Sequence, residues 1–138
     1  MSVVEILELS SQGDERGASF SDQRWKAFLQ QVKDIHLATI RPGAVRGNHY
    51  HRGRREVLFV THADDWSFHW ESEAGGPLQQ RRFCGRGCVM IMIEPEISHA
   101  VRNYGCVDLF LVGVSNADYD SKNPDVYRRD VIAKPNTV

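Results

Sequence analysis

Short apolar or alternating segments, separated by turn residues about every ten positions, occupy most of this chain of 138 residues. Eight such segments cover residues 3–9, 34–40, 56–61, 66–72, 78–83, 88–93, 99–103 and 107–114. Segments this short, with turn residues between them, are typical of an antiparallel sandwich or barrel. The sequence therefore predicts an all-β fold.

One segment has helical rather than strand spacing. Residues 22–32 read DQRWKAFLQQV, and their apolar members recur three or four positions apart. These members are Trp25, Phe28, Leu29 and Val32. A helix is the first interpretation of this segment, and a bent strand is the second.

The length of the chain favours one domain with a single core. We expect this domain to span residues 1–138, with a barrel core over about residues 34–114. The N-terminal strand and the C-terminal tail are expected to pack outside that core. The tail is polar and rich in turn residues, apart from a short apolar stretch at Val131 and Ile132.

Composition excludes several classes of protein. With 17 basic and 18 acidic residues, the net charge of −1 does not predict binding to nucleic acid or to an anionic membrane. No apolar run approaches the roughly 20 residues that span a bilayer, and the N-terminus lacks the basic region of a signal peptide. The three cysteines do not suggest a disulfide framework. We therefore expect a cytoplasmic protein.

Two histidines one residue apart, His49 and His51, are followed by Glu56 at the start of an apolar run. Side chains i and i+2 of a strand lie on the same face, so both imidazoles are expected to point the same way. A turn at residues 52–55 would reverse the chain and bring Glu56, in the neighbouring antiparallel strand, close to them. His99, which opens a later strand, is a candidate fourth member. Imidazole and carboxylate groups are ligands of divalent transition metals.

A solvated strand edge is the alternative interpretation of a histidine pair by itself. The distant Glu56 and His99 favour a real site. The other histidines are interpreted as ordinary: His36 is expected to be half-exposed or hydrogen-bonded, His62 solvated beside a turn, and His69 on the polar face of an aromatic strand.

This pattern resembles the cupin family. Gly43, His49, His51 and Glu56 match the spacing of the first cupin motif, G-x5-H-x-H-x3,4-E, although Ala63 stands where the family has the motif's last glycine. The end of the second motif is matched by His99 and Asn103, and its earlier part is not. Glu94 and Glu96 replace the proline and glycine of that part, and Gly87 is one position out of register. The resemblance implies a jelly-roll (double-stranded β-helix) barrel, which agrees with the strand pattern.

Further segments narrow the resemblance to the sugar-nucleotide-modifying cupins. The segments are DERG at 14–17, residues 41–60, HAVRN at 99–103 and NPDVYRRDVI at 123–132. They look most like the C-terminal cupin domain of capsular polysaccharide reductase/epimerases, and more distantly like dTDP-4-dehydrorhamnose 3,5-epimerases. The dTDP-sugar 3,4-ketoisomerases share the histidine pair but carry glutamine in the following strand, so Glu56 points to the metal-binding, capsular-type branch.

The resemblance implies an epimerase or isomerase that acts on a nucleotide-linked 4-keto-deoxysugar, a dTDP- or UDP-sugar, in surface polysaccharide biosynthesis. It implies that Arg46 contacts substrate. It also gives His49 two incompatible roles. With one divalent transition metal (Zn, Fe, Ni or Mn) bound by His49, His51, Glu56 and His99, the base lies elsewhere. In a metal-free site, His49 is the catalytic base. Metal is the preferred interpretation.

Two other functions stay open at this point. An iron-dependent cupin dioxygenase of a small molecule would use the same four ligands. A non-catalytic cupin that binds carbohydrate or regulates a partner would use the metal as a structural element. In each case a homodimer is expected, from the exposed strand edges of such a barrel and from the resemblance.

Overall fold

The computed structural model of the protein describes residues 2–24 and 26–133. Within these ranges the chain forms ten strands and one short helix. The strands are β1 (Val4–Leu9), β2 (Asp34–Ile40), β3 (Val45–Tyr50), β4 (Glu56–His62), β5 (Trp66–Glu71), β6 (Leu78–Phe83), β7 (Gly87–Ile93), β8 (His99–Asn103), β9 (Leu109–Ser115) and β10 (Tyr127–Arg128). The all-β prediction is confirmed, and the eight predicted strand segments begin and end within two residues of the observed ones.

The strands form two antiparallel sheets of five strands each. The first sheet has the order β1-β7-β4-β9-β2, and the second has the order β10-β3-β8-β5-β6. In the first sheet, β4 lies at the centre and pairs along its length with β7 on one side and with β9 on the other. Successive strands of the sequence thus alternate between the sheets over much of the chain, as in a jelly roll.

The main core fills the space between the two sheets. Trp66 and Phe68 of the second sheet are fully buried against Val60 and Ile91 of the first. Ser67 and His69, on the other face of the same strand, are also buried. β7 is buried on both faces, because Ile91 packs in the core between the sheets and Met90 packs with Phe28 on the outer side.

The helix is much shorter than the predicted span of residues 22–32. It covers only Lys26–Leu29, and Trp25 lies outside the described residues. The backbone N–H of Arg24 donates to the Asp22 carboxylate at 2.8 Å, a local bond that competes with helix formation. At the other end, bonds between residues three apart close the segment as turns. Phe28 holds the helix to the outer side of the first sheet, where it packs with Val57 and Met90.

The prediction of a solvated His62 is wrong. This histidine is 9% exposed, and its Nδ1 lies 2.7 Å from the carbonyl oxygen of Gly85. A side chain on Gly87 would meet the His62 ring, since a Cβ there would lie 2.8 Å from Nε2. Glycine at that position therefore provides the space in which His62 is buried. His36, on the edge strand β2, is exposed.

None of the helices among residues 2–24 and 26–133 has the length and apolar character needed to cross a membrane.

Candidate metal centre

Three histidines converge at one end of the space between the sheets. His49 is in β3, His51 follows directly after it, and His99 opens β8. One ring nitrogen of each lies within 4.8 Å of the corresponding nitrogens of the other two. His51 and His99 are buried, so the cluster faces the interior and not a solvated strand edge.

An irregularity in β3 is what directs the histidines inward. β3 pairs with β8 through Arg46↔Val101, Gly47↔Ala100 and His49↔His99, with a register shift between Gly47 and His49. Arg46 and His49 are three residues apart, and in a regular strand they would lie on opposite faces. The bulge adds one residue, so that both line the interior.

The bulge requires left-handed backbone at two successive residues. Gly47 has φ of 114° and Asn48 has φ of 58°, and glycine and asparagine are the residues that adopt such angles most readily. Gly47 is also needed for close packing: a Cβ would lie 2.6 Å from the His99 carbonyl oxygen and 2.8 Å from the Ala100 Cα. The dipeptide Gly47-Asn48 thus makes the bulge possible.

The C-terminal tail stabilises the bulge from outside the barrel. The Asn48 side chain is 1% exposed. It accepts from the backbone N–H groups of Val131 and Ile132 at 3.0 and 3.1 Å and donates to the Ile132 carbonyl at 3.0 Å. In addition, the backbone N–H of Arg129 donates to the Asn48 carbonyl at 3.0 Å. These bonds leave the Asn48 amide with its main donors and acceptors satisfied.

Glu56 reaches the cluster from the opposite sheet. Because β4 belongs to the first sheet and β3 to the second, the expectation that Glu56 lies in the strand next to the histidine pair is wrong. The carboxylate instead faces the histidines across the interior, with Oε2 3.4 Å from His51 Nε2 and Oε1 3.5 Å from His99 Nε2. The turn at residues 52–55 crosses from one sheet to the other.

Backbone carbonyls orient two of the three rings. Nδ1 of His51 lies 2.6 Å from the carbonyl of Asp125, and Nδ1 of His99 lies 3.0 Å from the carbonyl of Ile97. A carbonyl only accepts, so in each ring Nδ1 carries a proton and Nε2 is the nitrogen that faces the cluster. Such carbonyl contacts are the usual outer partners of metal-binding histidines.

The electrostatics of the cluster keep His49 and Glu56 in the forms that bind a metal ion. Burial, together with repulsion from His99 and His51, lowers the pKa of His49 to about 3. Burial acts to raise the pKa of Glu56, but its interactions with His51 and His99 outweigh that effect and hold the pKa well below the ordinary value. Around neutral pH the site therefore contains a neutral His49 and an ionised carboxylate.

These residues fit a divalent transition metal. Nε2 of His51 is buried and has no hydrogen-bond partner among the described residues. Nε2 of His51 and Nε2 of His99 each face a carboxylate oxygen of Glu56, an arrangement that is favourable with either a proton or a metal ion between them. Three imidazoles and one carboxylate are a donor set that suits Zn, Fe, Ni or Mn.

A cavity of about 420 Å³ opens beside the cluster. The four residues of the cluster line it, together with Arg46 and apolar side chains of both sheets. Arg46 is exposed, and its Nε donates to the carbonyl of Thr39 at 3.3 Å. The structure thus brings together all five residues singled out from the sequence: His49, His51, Glu56 and His99 at the cluster and Arg46 on the wall of its cavity.

Four residues of this region were missed by sequence reasoning. Gly47-Asn48 is a recognisable turn signal and indicates the bulge once the strand is assigned. Asp125 follows a proline in the tail, but nothing local indicates that its carbonyl reaches His51. Arg54 also lines the cavity, and as one of several arginines in its turn it has no distinguishing sequence signal.

The fold and the inward-facing cluster of histidines and glutamate define a cupin. The chain belongs to the polysaccharide biosynthesis C-terminal domain family, whose model matches residues 11–127. No curated protein sequence matches it.

Solved structures show the same fold. A variant of the 3,4-ketoisomerase QdtA from Thermoanaerobacterium thermosaccharolyticum, in complex with TDP-4-keto-6-deoxyglucose, has a TM-score of 0.69 at 14% identity and covers 94% of this chain and 89% of its own. The 3'-monoepimerase ChmJ from Streptomyces bikiniensis, in complex with dTDP-quinovose, has a TM-score of 0.71 at 18% identity, and the match covers 91% of this chain and 69% of ChmJ. The capsular polysaccharide assembling protein CapF from Staphylococcus aureus has a TM-score of 0.64 at 20% identity, and the match covers 89% of this chain and 33% of CapF.

Proposed function

We propose that this protein is an isomerase or epimerase of a nucleotide-linked 4-keto-deoxysugar, acting in surface polysaccharide biosynthesis with one divalent transition metal. The observation that carries the proposal is the cavity beside His49, His51, Glu56 and His99, into which three imidazoles and one carboxylate face. A buried donor cluster that opens onto a cavity is suited to binding and activating a substrate, and not only to stabilising a fold.

The comparisons support the substrate class. The similar structures are a ketoisomerase bound to a TDP-linked keto sugar, an epimerase bound to a dTDP-sugar and a capsular polysaccharide assembling protein. Membership in the polysaccharide biosynthesis C-terminal domain family points to the same area of metabolism. We therefore propose a dTDP- or UDP-linked sugar as the substrate.

The reaction moves a proton on a carbon next to the ketone. It requires a base for that proton and an electrophile at the ketone oxygen. A divalent metal held by the four residues would supply the electrophile. With a pKa of about 3, His49 is neutral and a weak base, which favours its role as a ligand over its role as catalytic base. Asp34, His36 and Tyr119 also line the cavity and are the proton-transfer candidates that remain free of the cluster.

The first test is the metal content of the purified protein, measured beside His51→Ala. We expect about one transition metal per chain in the native protein and a large loss in the variant, because His51 contributes a buried Nε2 to the cluster. His69→Ala is the matched control, since His69 is also buried but lies outside the cluster and contacts Ser67 at 2.7 Å. A native protein without metal would overturn the metal site and return His49 to the role of base.

The second test is deuterium exchange. TDP-4-keto-6-deoxyglucose is incubated with the protein in D2O, and label next to the ketone is followed by NMR against a protein-free control. We expect label to appear faster with the native protein and at the control rate with His51→Ala. Exchange at the control rate for dTDP- and UDP-linked keto sugars, combined with bound iron and substrate-dependent oxygen uptake, would contradict the proposal in favour of a dioxygenase.

We also propose a homodimer. Leu37 in β2 and Phe110 in β9 are 71% and 61% exposed, and both border a shallow apolar depression on the outside of the first sheet. Exposed apolar side chains clustered in this way are typical of protein interfaces. Sedimentation equilibrium should give twice the chain mass for the native protein and a shift toward the single-chain mass for Leu37→Glu. A single-chain mass for the native protein at every concentration would overturn this proposal.

A further inference from the structure

Arg54 is a buried cation whose Nε–H group has no hydrogen-bond partner among the described residues. The residue is 9% exposed. The nearest carboxylate oxygen is Oδ2 of Asp125, at 4.0 Å from Nε. A charged N–H group buried in this way loses its hydration without gaining a hydrogen bond in return, which is unfavourable unless a ligand provides one.

Asp125 is not a dedicated partner for this charge. Its Oδ1 accepts from the backbone N–H of Arg52 at 2.8 Å, and its Oδ2 accepts from the backbone N–H of Gly53 at 2.7 Å. These two bonds hold the carboxylate against the turn between β3 and β4. Arg54 therefore has only a distant, shared counter-charge.

The neighbouring arginines of the turn are engaged elsewhere. The Arg52 guanidinium lies 4.4 Å from the centre of the Tyr127 ring, and Arg55 pairs with Glu94 at 2.9 Å. Arg54, in contrast, lines the cavity beside the histidine cluster. The other arginine on the cavity wall is Arg46, which is exposed and donates to a backbone carbonyl.

We propose, building on the function proposed above, that Arg54 binds an oxyanion of the substrate inside the cavity. A guanidinium offers five N–H donors in a planar fork that matches phosphate and carboxylate-like oxygens. A nucleotide-linked keto sugar has two sources of such an oxygen: the diphosphate, and the ketone oxygen, which becomes an enolate oxygen when the neighbouring proton leaves. In that step a base of the cavity, for which Asp34, His36 and Tyr119 are the candidates, takes the proton. The C–H electron pair forms the C=C bond, and the carbonyl electrons move to oxygen, where Arg54 would stabilise the charge.

The test compares Arg54→Met with Arg52→Met, which removes one arginine from the same turn but outside the cavity lining. TDP binding is measured by calorimetry, and deuterium exchange is measured with TDP-4-keto-6-deoxyglucose as a function of its concentration. We expect Arg54→Met to lower either the affinity for TDP or the exchange rate about 10- to 100-fold, which is the effect of losing hydrogen bonds to a charged group. Arg52→Met should resemble the native protein in both measurements.

The two sources of the oxyanion give different results. If the diphosphate is the ligand, Arg54→Met weakens TDP binding and raises KM with little change in kcat. If the ketone oxygen is the ligand, TDP binding is unchanged and kcat falls. Arg54→Lys, which keeps the charge but not the fork, should lie between the native protein and the methionine variant in either case, and it takes the place of Arg54→Met if that variant does not fold.

Native levels of both TDP binding and exchange in a folded Arg54 variant with native metal content would overturn this inference and leave the proposed function standing. Arg54-dependent TDP binding without any exchange in the native protein would support the inference and overturn the proposed reaction. A native protein that neither binds TDP nor promotes exchange would overturn both.

Discussion

β3 and β4 both contribute to the candidate metal centre, but they hold their residues in different ways. β4 is a regular central strand that pairs on both sides through the whole of Glu56–Thr61. β3 contains a bulge with two left-handed residues, and the C-terminal tail supports it through Asn48. Glu56 is therefore positioned by a strand that would form without it, whereas His49 and His51 are positioned by an irregular segment.

This difference indicates which substitutions should disrupt the candidate metal centre. A regular strand distributes its support over many backbone bonds, so one side chain can change without moving the rest. A bulge concentrates its support in a few residues that permit unusual backbone angles or satisfy otherwise free polar groups. We expect substitutions around β3 to affect stability and metal binding together, and a substitution of Glu56 to affect mainly metal binding.

The largest effect is expected for Gly47→Ala. A methyl group at this position meets the backbone of His99 and Ala100, and φ is 114°. We expect the free energy of unfolding to fall by about 4 kcal/mol in urea titrations with a chelator present. Gly43→Ala is the control, because Gly43 has φ of 79° but open space around it, and a cost of about 1 kcal/mol is expected. Equal stability of the two variants would mean that β3 does not need its bulge.

Arg129→Met should have the next largest effect. Arg129 NH2 donates to Glu71 at 2.7 Å and to the carbonyl of Glu96 at 2.8 Å, and Glu71 is 2% exposed. Because the substitution leaves a buried carboxylate without its counter-charge, we expect a loss of about 3 kcal/mol in unfolding free energy. Arg128→Met is the control, since Arg128 pairs with Asp130 at the surface and should cost less than about 1 kcal/mol.

The pair formed by Glu71 and Arg129 also predicts that the stability of the protein depends on pH. Burial acts to raise the pKa of Glu71, but its bonds with Arg129 and the backbone of Ser98 lower it below the ordinary 4.5. A carboxyl whose pKa is lower in the folded protein adds stability that is present above pH 4.5 and is lost as the pH falls through the folded value. The difference in unfolding free energy between the native protein and Arg129→Met should therefore be full at neutral pH and shrink below pH 4.5. A constant difference down to pH 3 would argue against an ionic contribution.

Asp125→Ala is expected to have a moderate effect on both stability and zinc affinity. It removes the two bonds from the side chain to the turn that follows His51, which should cost about 2 kcal/mol. The Asp125 carbonyl that orients His51 would then be held less firmly, and we expect zinc affinity, measured by competition with a chelating dye, to fall about 10-fold. Asp130→Ala, another acidic residue of the tail, should leave zinc affinity unchanged.

The smallest change in stability is expected for Glu56→Gln. In the presence of a chelator its unfolding free energy should fall by less than about 2 kcal/mol, because β4 is held by its neighbours and the amide oxygen still accepts beside His51 and His99. Zinc should stabilise the variant far less than the native protein, since one charged ligand is missing. If Glu56→Gln destabilised the metal-free protein as much as Gly47→Ala, the contrast between the two strands would be wrong.

Much of the strand pattern was predictable because it is local. In β9, buried residues alternate with exposed or half-buried ones at the period of a strand, and turn residues mark its ends. The helix over residues 22–32 was the exception. Its apolar spacing was real, but a side-chain bond from Asp22 and the docking of Phe28 on the first sheet limit it to Lys26–Leu29.

The ligands of the candidate site could also be predicted from the sequence. The residues are of types that bind metal ions, and their spacing resembles that of the cupin motifs: His49, His51, Glu56 and His99. What spacing does not determine is the sheet to which each strand belongs. The chain passes from the second sheet to the first within the turn at residues 52–55, so Glu56 approaches from across the interior. His62 likewise depends on a distant glycine for its burial.

By itself, the sequence determined the strands, their turns and the set of potential ligands, because these depend on residues a few positions apart. Only the tertiary structure decided that a bulge turns His49 and His51 inward, that the tail holds this bulge through Asn48, and that Arg54 is buried on the cavity wall. The reason is physical: side-chain direction follows from local period two only while a strand is regular. Where it bulges or ends, contacts with residues more than 70 positions away set the geometry.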